Sequence, residues 1–156
     1  MEKVVKETQR FNLVVVIGIL LLIFIINYIV LKELDLISTI ISITLILFFL
    51  ISYLYYEIDE DKIQYKFIPF IIKPRVIPFS EIDSITICNY SPLSDYGGWG
   101  LRRNGTARAY TTKGNKGILI YLKNGKNILI GTQKDKNVLY EEIKNIVGNK
   151  VRVQLS

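Results

Sequence analysis

Two uninterrupted apolar runs constrain this 156-residue chain more than any other feature. Phe11 to Leu31 and Leu36 to Tyr56 are each 21 residues long without a charge, and 17 of the first 21 are Leu, Ile, Val or Phe. A helix of about 20 such residues matches the thickness of a bilayer core, and each large aliphatic residue favours insertion by about 0.3–0.6 kcal/mol. A cleaved leader would have a shorter apolar core and a small-residue cleavage site. No such site follows Leu31, and a second run begins almost at once. The expectation is a transmembrane helical hairpin over 11–56, with spans 11–31 and 36–56 after a short flank, 1–10.

The link Lys32-Glu33-Leu34-Asp35 is short enough to join only antiparallel neighbours, which puts both termini on one side. Lys3, Lys6 and Arg10 precede the first run, and a long Lys/Arg-rich segment follows the second. The positive-inside rule then places both termini in the cytoplasm and the chain in the cell membrane, with the bilayer as a partner. Neither run holds Asp, Glu, Lys, Arg or His, which argues against transport or proton relay. Ser38 and Ser42 share a helical face and Gly18 is the first run's one glycine, so these three are candidates for close helix packing, within the hairpin or between copies.

Composition excludes much chemistry. There is no histidine, so the commonest general base near neutral pH and the commonest metal ligand are missing. The single cysteine, Cys88, allows no internal disulfide and no cysteine-rich metal site; in a strand it reads as a small buried apolar residue. No cofactor or metal is expected.

From Glu57 onward there are 16 Lys/Arg against 10 Asp/Glu, so the net charge of +6 resides there. This region, 57–148, reads as β-rich. Ile63, Tyr65 and Phe67 alternate with polar residues, Pro69, Pro74 and Pro78 punctuate the next stretch, and Ile82 to Asn89 forms a further strand. Asn124-Gly125 between two apolar runs signals a hairpin. Thr132 with Asp135 resembles a capping box, and Leu139, Ile143, Ile146 and Val147 form one helical stripe closed by Gly148. Residues 149–156 remain as a tail.

The blocks "IQYKFIPF", "RVIPFSEIDSI", "YGGWGLR", "AYTTKGNKGILIYL" and "ILIGTQK" resemble small bacterial membrane proteins that carry a PH-like domain after a transmembrane hairpin. The resemblance covers about Tyr56 to Val147. It implies an α+β fold: the membrane hairpin, then a PH-like antiparallel β-barrel or sandwich of about seven strands with a C-terminal capping helix. It brings no reaction. The phosphoinositide-binding relatives use basic residues in the first hairpin loop, where this chain has Asp59, Glu60 and Asp61.

The stretch Ser94 to Gly117 holds six glycines and the chain's one tryptophan. A dinucleotide loop needs G-x-G-x-x-G, but Arg103 stands where the third glycine belongs, and no Gly-Lys-Ser/Thr triplet is present. Gly97, Gly98, Gly100, Gly114 and Gly117 therefore read as structural, bending the chain around Trp99. Tyr96 to Lys134 is a 39-residue interval with no Asp or Glu. Within it Trp99, Arg102, Arg103, Arg108, Lys113, Lys116, Lys123 and Lys126 form a candidate interaction surface. A basic surface suits an acidic protein partner, self-association, or anionic lipid headgroups. An aromatic-basic strand signature for nucleic acid is missing. The functional expectation is a non-catalytic, membrane-anchored binding or assembly module, with an anionic-lipid surface sensor as the alternative. An accessory subunit of a membrane complex, or an enzyme, is weaker still.

Overall fold

The computed structural model describes residues 4–31 and 36–156, except the side chains at 15, 27, 30, 31 and 38. The expected link at 32–35 and the Ser38 side chain lie outside the described residues. The chain divides into two compact units, Arg10–Ser52 and the remainder, Met1–Gln9 with Tyr53–Ser156.

The smaller unit holds helices α1 (Leu13–Leu31) and α2 (Leu36–Ile51). Asn12 Oδ1 accepts the Val14 amide at 3.0 Å and starts α1. Thr44 Oγ1 donates to the Ile40 carbonyl at 2.8 Å, a helical side chain satisfying itself on the preceding turn. Phe11 meets Phe49 edge to face at 5.3 Å. Many of the large apolar side chains of both helices are exposed, Val14 and Leu36 among the most.

The two-span membrane hairpin is corrected. Among the described residues no helix is long and apolar enough to cross a membrane. The uninterrupted helices have 19 and 16 residues. At about 1.5 Å per residue the second reaches about 24 Å, short of a core of about 30 Å. The last residues of the expected second span leave the helix altogether: Tyr53–Ile58 is a strand in which Leu54, Tyr56 and Ile58 are buried in alternation. The membrane localisation and the cytoplasmic placing of both termini rested on those spans and fall with them.

The larger unit is an open, sandwich-like pair of sheets. One sheet has the order β1-β2-β3-β4, from β1 (Val5–Arg10), β2 (Tyr53–Ile58), β3 (Lys62–Ile68) and β4 (Ile71–Pro78). The second has the order β10-β5-β8-β9-β7-β6. Its strands are β5 (Ile82–Asn89), β6 (Gly100–Asn104), β7 (Ala107–Thr111), β8 (Lys116–Leu122), β9 (Asn127–Thr132) and β10 (Arg152–Leu155). Two short helical segments lie between strands: a 3₁₀ turn at Phe79–Glu81 and α3 (Pro92–Tyr96). Helix α4 (Lys136–Val147) precedes β10 and packs beside it and β5.

Residues opposed across a ladder share a face, and the register therefore sorts the core. Ile85 and Ile87 stand opposite Ile120 and Ile118, Ile118 opposite Ile130, and Ile130 opposite Tyr110. All are buried on the inner face. Tyr110 meets Tyr65 at 4.9 Å and Phe67 at 6.3 Å, joining the two sheets. On the outer face Tyr90, Ala109 and Leu129 cluster with Cys88, Tyr96 and Leu119.

The PH-like expectation is corrected with this topology. Ten strands form among the described residues where about seven were expected, and two pairings are parallel, β5 with β10 and β7 with β9. Two of the extra strands come from the ends, and the glycine-rich stretch, read as a bend, forms the β6–β7 pair. The N-terminal flank supplies β1, and the residues read as a tail supply β10.

Strand β1 is tied in by polar side chains. Gln9, 3% exposed, donates to the Gly131 carbonyl at 2.6 Å and accepts the Thr112 hydroxyl at 3.2 Å. The Glu7 carboxylate accepts the Tyr56 hydroxyl at 2.8 Å, the Thr132 hydroxyl at 2.7 Å and the Gln133 amide at 2.9 Å. Burial and the Glu7 charge push the Tyr56 hydroxyl far above its ordinary pKa.

Candidate functional site

The opposite flank of the unit, where β4 ends one sheet and β6 ends the other, is open. Two cavities lie there, of about 320 and 190 Å³. The larger is lined by Phe70, Ile71 and Arg75 from the β4 side and by Leu101, Arg102 and Arg103 from β6. Both have Arg75, Arg108 and Tyr110 in their walls, and Lys126 and Tyr65 line the smaller.

The register explains how so many cations converge. Strands β6 and β7 are joined by the two-residue turn Gly105-Thr106, and Arg103 stands directly opposite Arg108, as Leu101 does opposite Tyr110. Tyr110 faces the core, and Arg108, two residues before it, shares that face. From the other sheet, Arg75 stands directly opposite the buried Tyr65 and shares its face. Three arginines from three strands thus project to one mouth.

Five cations, Arg75, Arg102, Arg103, Arg108 and Lys126, line the two cavities, and no Asp or Glu does. Among the described residues the ion pairs are Lys62–Asp59, Lys134–Glu142 and Lys150–Asp61, none of which involves these five. Like charges directly opposed on a sheet cost stability, and here nothing of opposite sign offsets them. At the floor the buried Tyr65 ring packs against Tyr110 at 4.9 Å, on the face it shares with Arg75. Burial, then Tyr110, push the Tyr65 hydroxyl well above its ordinary pKa, against the opposing pull of Arg75. It therefore stays a neutral donor.

The fold divides the sequence-derived surface. Arg102, Arg103, Arg108 and Lys126 come together at the mouth. Lys123 lies elsewhere, lining a cavity of about 460 Å³ with Asp61 and Lys150. Lys116 reaches the Lys134 carbonyl at 3.5 Å, and the Lys113 carbonyl accepts the Gln133 side chain at 3.0 Å, both near the end of β9. Trp99 is half-buried and donates its indole N–H to the Gly114 carbonyl at 2.8 Å, so its polar atom is spent internally. Arg75, Tyr65 and Tyr110 were missed. Their place follows from a pairing between distant segments, and the sequence signal for Arg75, a cation between two prolines, points to no site by itself.

The glycines act locally. Gly97 caps α3 in the left-handed region at φ 68°. Gly117 is a close approach: a Cβ there would lie 2.6 Å from Leu129 Cδ1 and 3.3 Å from the Ile130 carbonyl oxygen. Gly98 is buried with Arg102 nearby, Gly100 opens β6, and Gly114 sits against Gln133. In the smaller unit a Cβ on Gly18 would meet nothing within 4 Å, and Ser42 is half-buried.

A guanidinium presents a planar fork of donors that matches a carboxylate or phosphate, and several together select an oxyanion. The mouth holds such donors beside the buried Tyr65 and Tyr110. No protein-family model and no curated protein matches the chain. The resemblance to PH-like membrane proteins is corrected accordingly: its motifs match no family model, and the topology above departs from it.

Proposed function

We propose that this chain is a non-catalytic binding module whose working surface is the basic mouth between β4 and β6–β7, and that its partner is an acidic protein segment. One observation carries the reading. Arg103 and Arg108 are directly opposed, with Arg75 facing the same mouth, and no carboxylate lines it. An arrangement that costs stability when empty gains when an anion enters. Binding rather than turnover is supported by the donor set: guanidinium forks suit an anion, and burial keeps the Tyr65 hydroxyl neutral beside them.

The mouth also has an apolar lip, Phe70, Ile71 and Leu101. Phe70 and Leu101 are 54% and 39% exposed. A lip of this kind favours a peptide with apolar side chains over a bare inorganic anion.

The test uses the full chain and polyglutamate, with polylysine as control and phosphatidylserine vesicles as a third arm. Polyglutamate binds, more weakly as salt rises, and the Arg75→Ser/Arg103→Ser/Arg108→Ser variant loses at least about tenfold, the equivalent of about 1.4 kcal/mol. Equal binding by that variant overturns the site. Binding to vesicles alone, lost in the same variant, overturns the protein-partner reading in favour of lipid headgroups.

A further inference from the structure

We infer that the acidic partner enters the mouth as an extended strand that pairs with the free edge of β6, an inference that rests on the binding reading above. Two sheet edges flank the mouth, and they differ. Strand β4 carries Pro74 and Pro78, which lack N–H groups, and its register shifts between Tyr65 and Phe67, where Ile72 to Pro74 stand against Lys66 alone. Prolines and bulges are how sheets blunt an edge against pairing. Strand β6, Gly100-Leu101-Arg102-Arg103-Asn104, has neither device, and its last four residues are exposed.

The two-residue turn makes Asn104–Ala107 the closing hydrogen-bonded pair. Bonded and non-bonded pairs alternate along an antiparallel ladder. Arg102–Ala109 and Gly100–Thr111 are then bonded, while the N–H and C=O groups of Leu101 and Arg103 point away from β7. No turn, loop or cap bond among the described residues uses those groups. They form a four-point template bordering the cavity of about 320 Å³.

A strand laid along this edge places every second side chain on the face shared by Leu101 and Arg103. That face is the one toward Arg108 and Arg75. Acidic residues at alternate positions would project into the mouth and meet guanidinium forks. The backbone supplies affinity and the arginines supply selection, as in strand addition generally. The occupant is therefore an extended peptide with Asp or Glu at every second position.

The probe is a labelled (Glu-Val)₄ peptide, added to the full chain and followed by fluorescence anisotropy. Versions N-methylated at every second residue, in either phase, keep the charges but cannot donate along one edge. Leu101→Pro removes an outward N–H and leaves every cation in place. The inference expects (Glu-Val)₄ to bind, the better-placed methylated version to lose at least about tenfold, and Leu101→Pro to lose comparably with an unchanged circular dichroism spectrum. If Leu101→Pro misfolds, the methylated peptides decide alone. Binding that needs Arg75, Arg103 and Arg108 but tolerates both methylation phases overturns the strand and leaves the module standing. Binding that needs none of the three arginines overturns both, and so does no binding by (Glu-Val)₄ together with none by polyglutamate.

Discussion

Removing one arginine of the opposed pair should stabilise the protein while weakening its binding. Arg103 and Arg108 face each other across β6 and β7, both exposed, with no carboxylate among the residues lining the mouth. Opposed Cβ atoms lie about 5 Å apart and the long side chains can splay, so the charges settle about 8 Å apart. Coulomb's law gives a repulsion of about 0.5 kcal/mol at the permittivity of water and about 2 kcal/mol at an effective value of 20. Cross-strand pair measurements bracket such effects at about 0.2–1 kcal/mol, so Arg103→Thr should gain about 0.5–1 kcal/mol. In a unit of this size that raises Tm by a few degrees, about 2–5 °C. The assay is thermal melting of Arg103→Thr, Arg108→Thr and the double variant at about 10 mM and 500 mM salt. The cycle should return a repulsive coupling of about 0.5 kcal/mol that shrinks at high salt, where the Debye length falls to about 4 Å. A lower Tm for both single variants at low salt, or a coupling that ignores salt, would falsify the electrostatic reading of the mouth.

Three further outcomes follow from the packing. Gln9→Leu strands the buried Thr112 hydroxyl and Gly131 carbonyl, and should cost about 1–3 kcal/mol in urea unfolding; an unchanged midpoint would mean β1 is not held by those bonds. Asp135 Oδ1 accepts the Asn137 and Val138 amides at the start of α4, so Asp135→Ala should cost about 0.5–2 kcal/mol, read the same way. Burial holds the Tyr90 hydroxyl at about 12, above its unfolded value of about 10. The folded state then binds more protons between those values, so this contribution is full below pH 10 and is lost as pH rises through 12. Tyr90→Phe should flatten the alkaline decline measured by denaturant melts from pH 9 to 12, and an unaltered slope would count against it.

The local patterns were legible because short-range physics sets them. Ile63, Tyr65 and Phe67 alternate along β3 and are buried as the period of two requires. Asn124-Gly125 turns β8 into β9, and Leu139, Ile143 and Val147 are the buried stripe of α4. The cap differs in one particular: Asp135 itself caps α4, because a short carboxylate reaches the free amides two and three residues on.

What failed was any inference that needed a distant partner. Charge-free runs measured the apolar stretch and not where the helix stops, and Tyr53 to Tyr56 left it because alternating burial in a sheet competes with helix for the same apolar residues. Strands β1 and β10 have no local signal that sets them apart, since each is completed by neighbours far away in the chain. The site shows the same division. That Arg102, Arg103 and Arg108 lie in an interval without acids was determined by sequence alone. That Arg75 meets them, that Lys113, Lys116 and Lys123 do not, and that β6 keeps a free edge were decided by strand order and register. A one-residue change of register would turn Arg75, Arg103 and Arg108 to the opposite face of their strands.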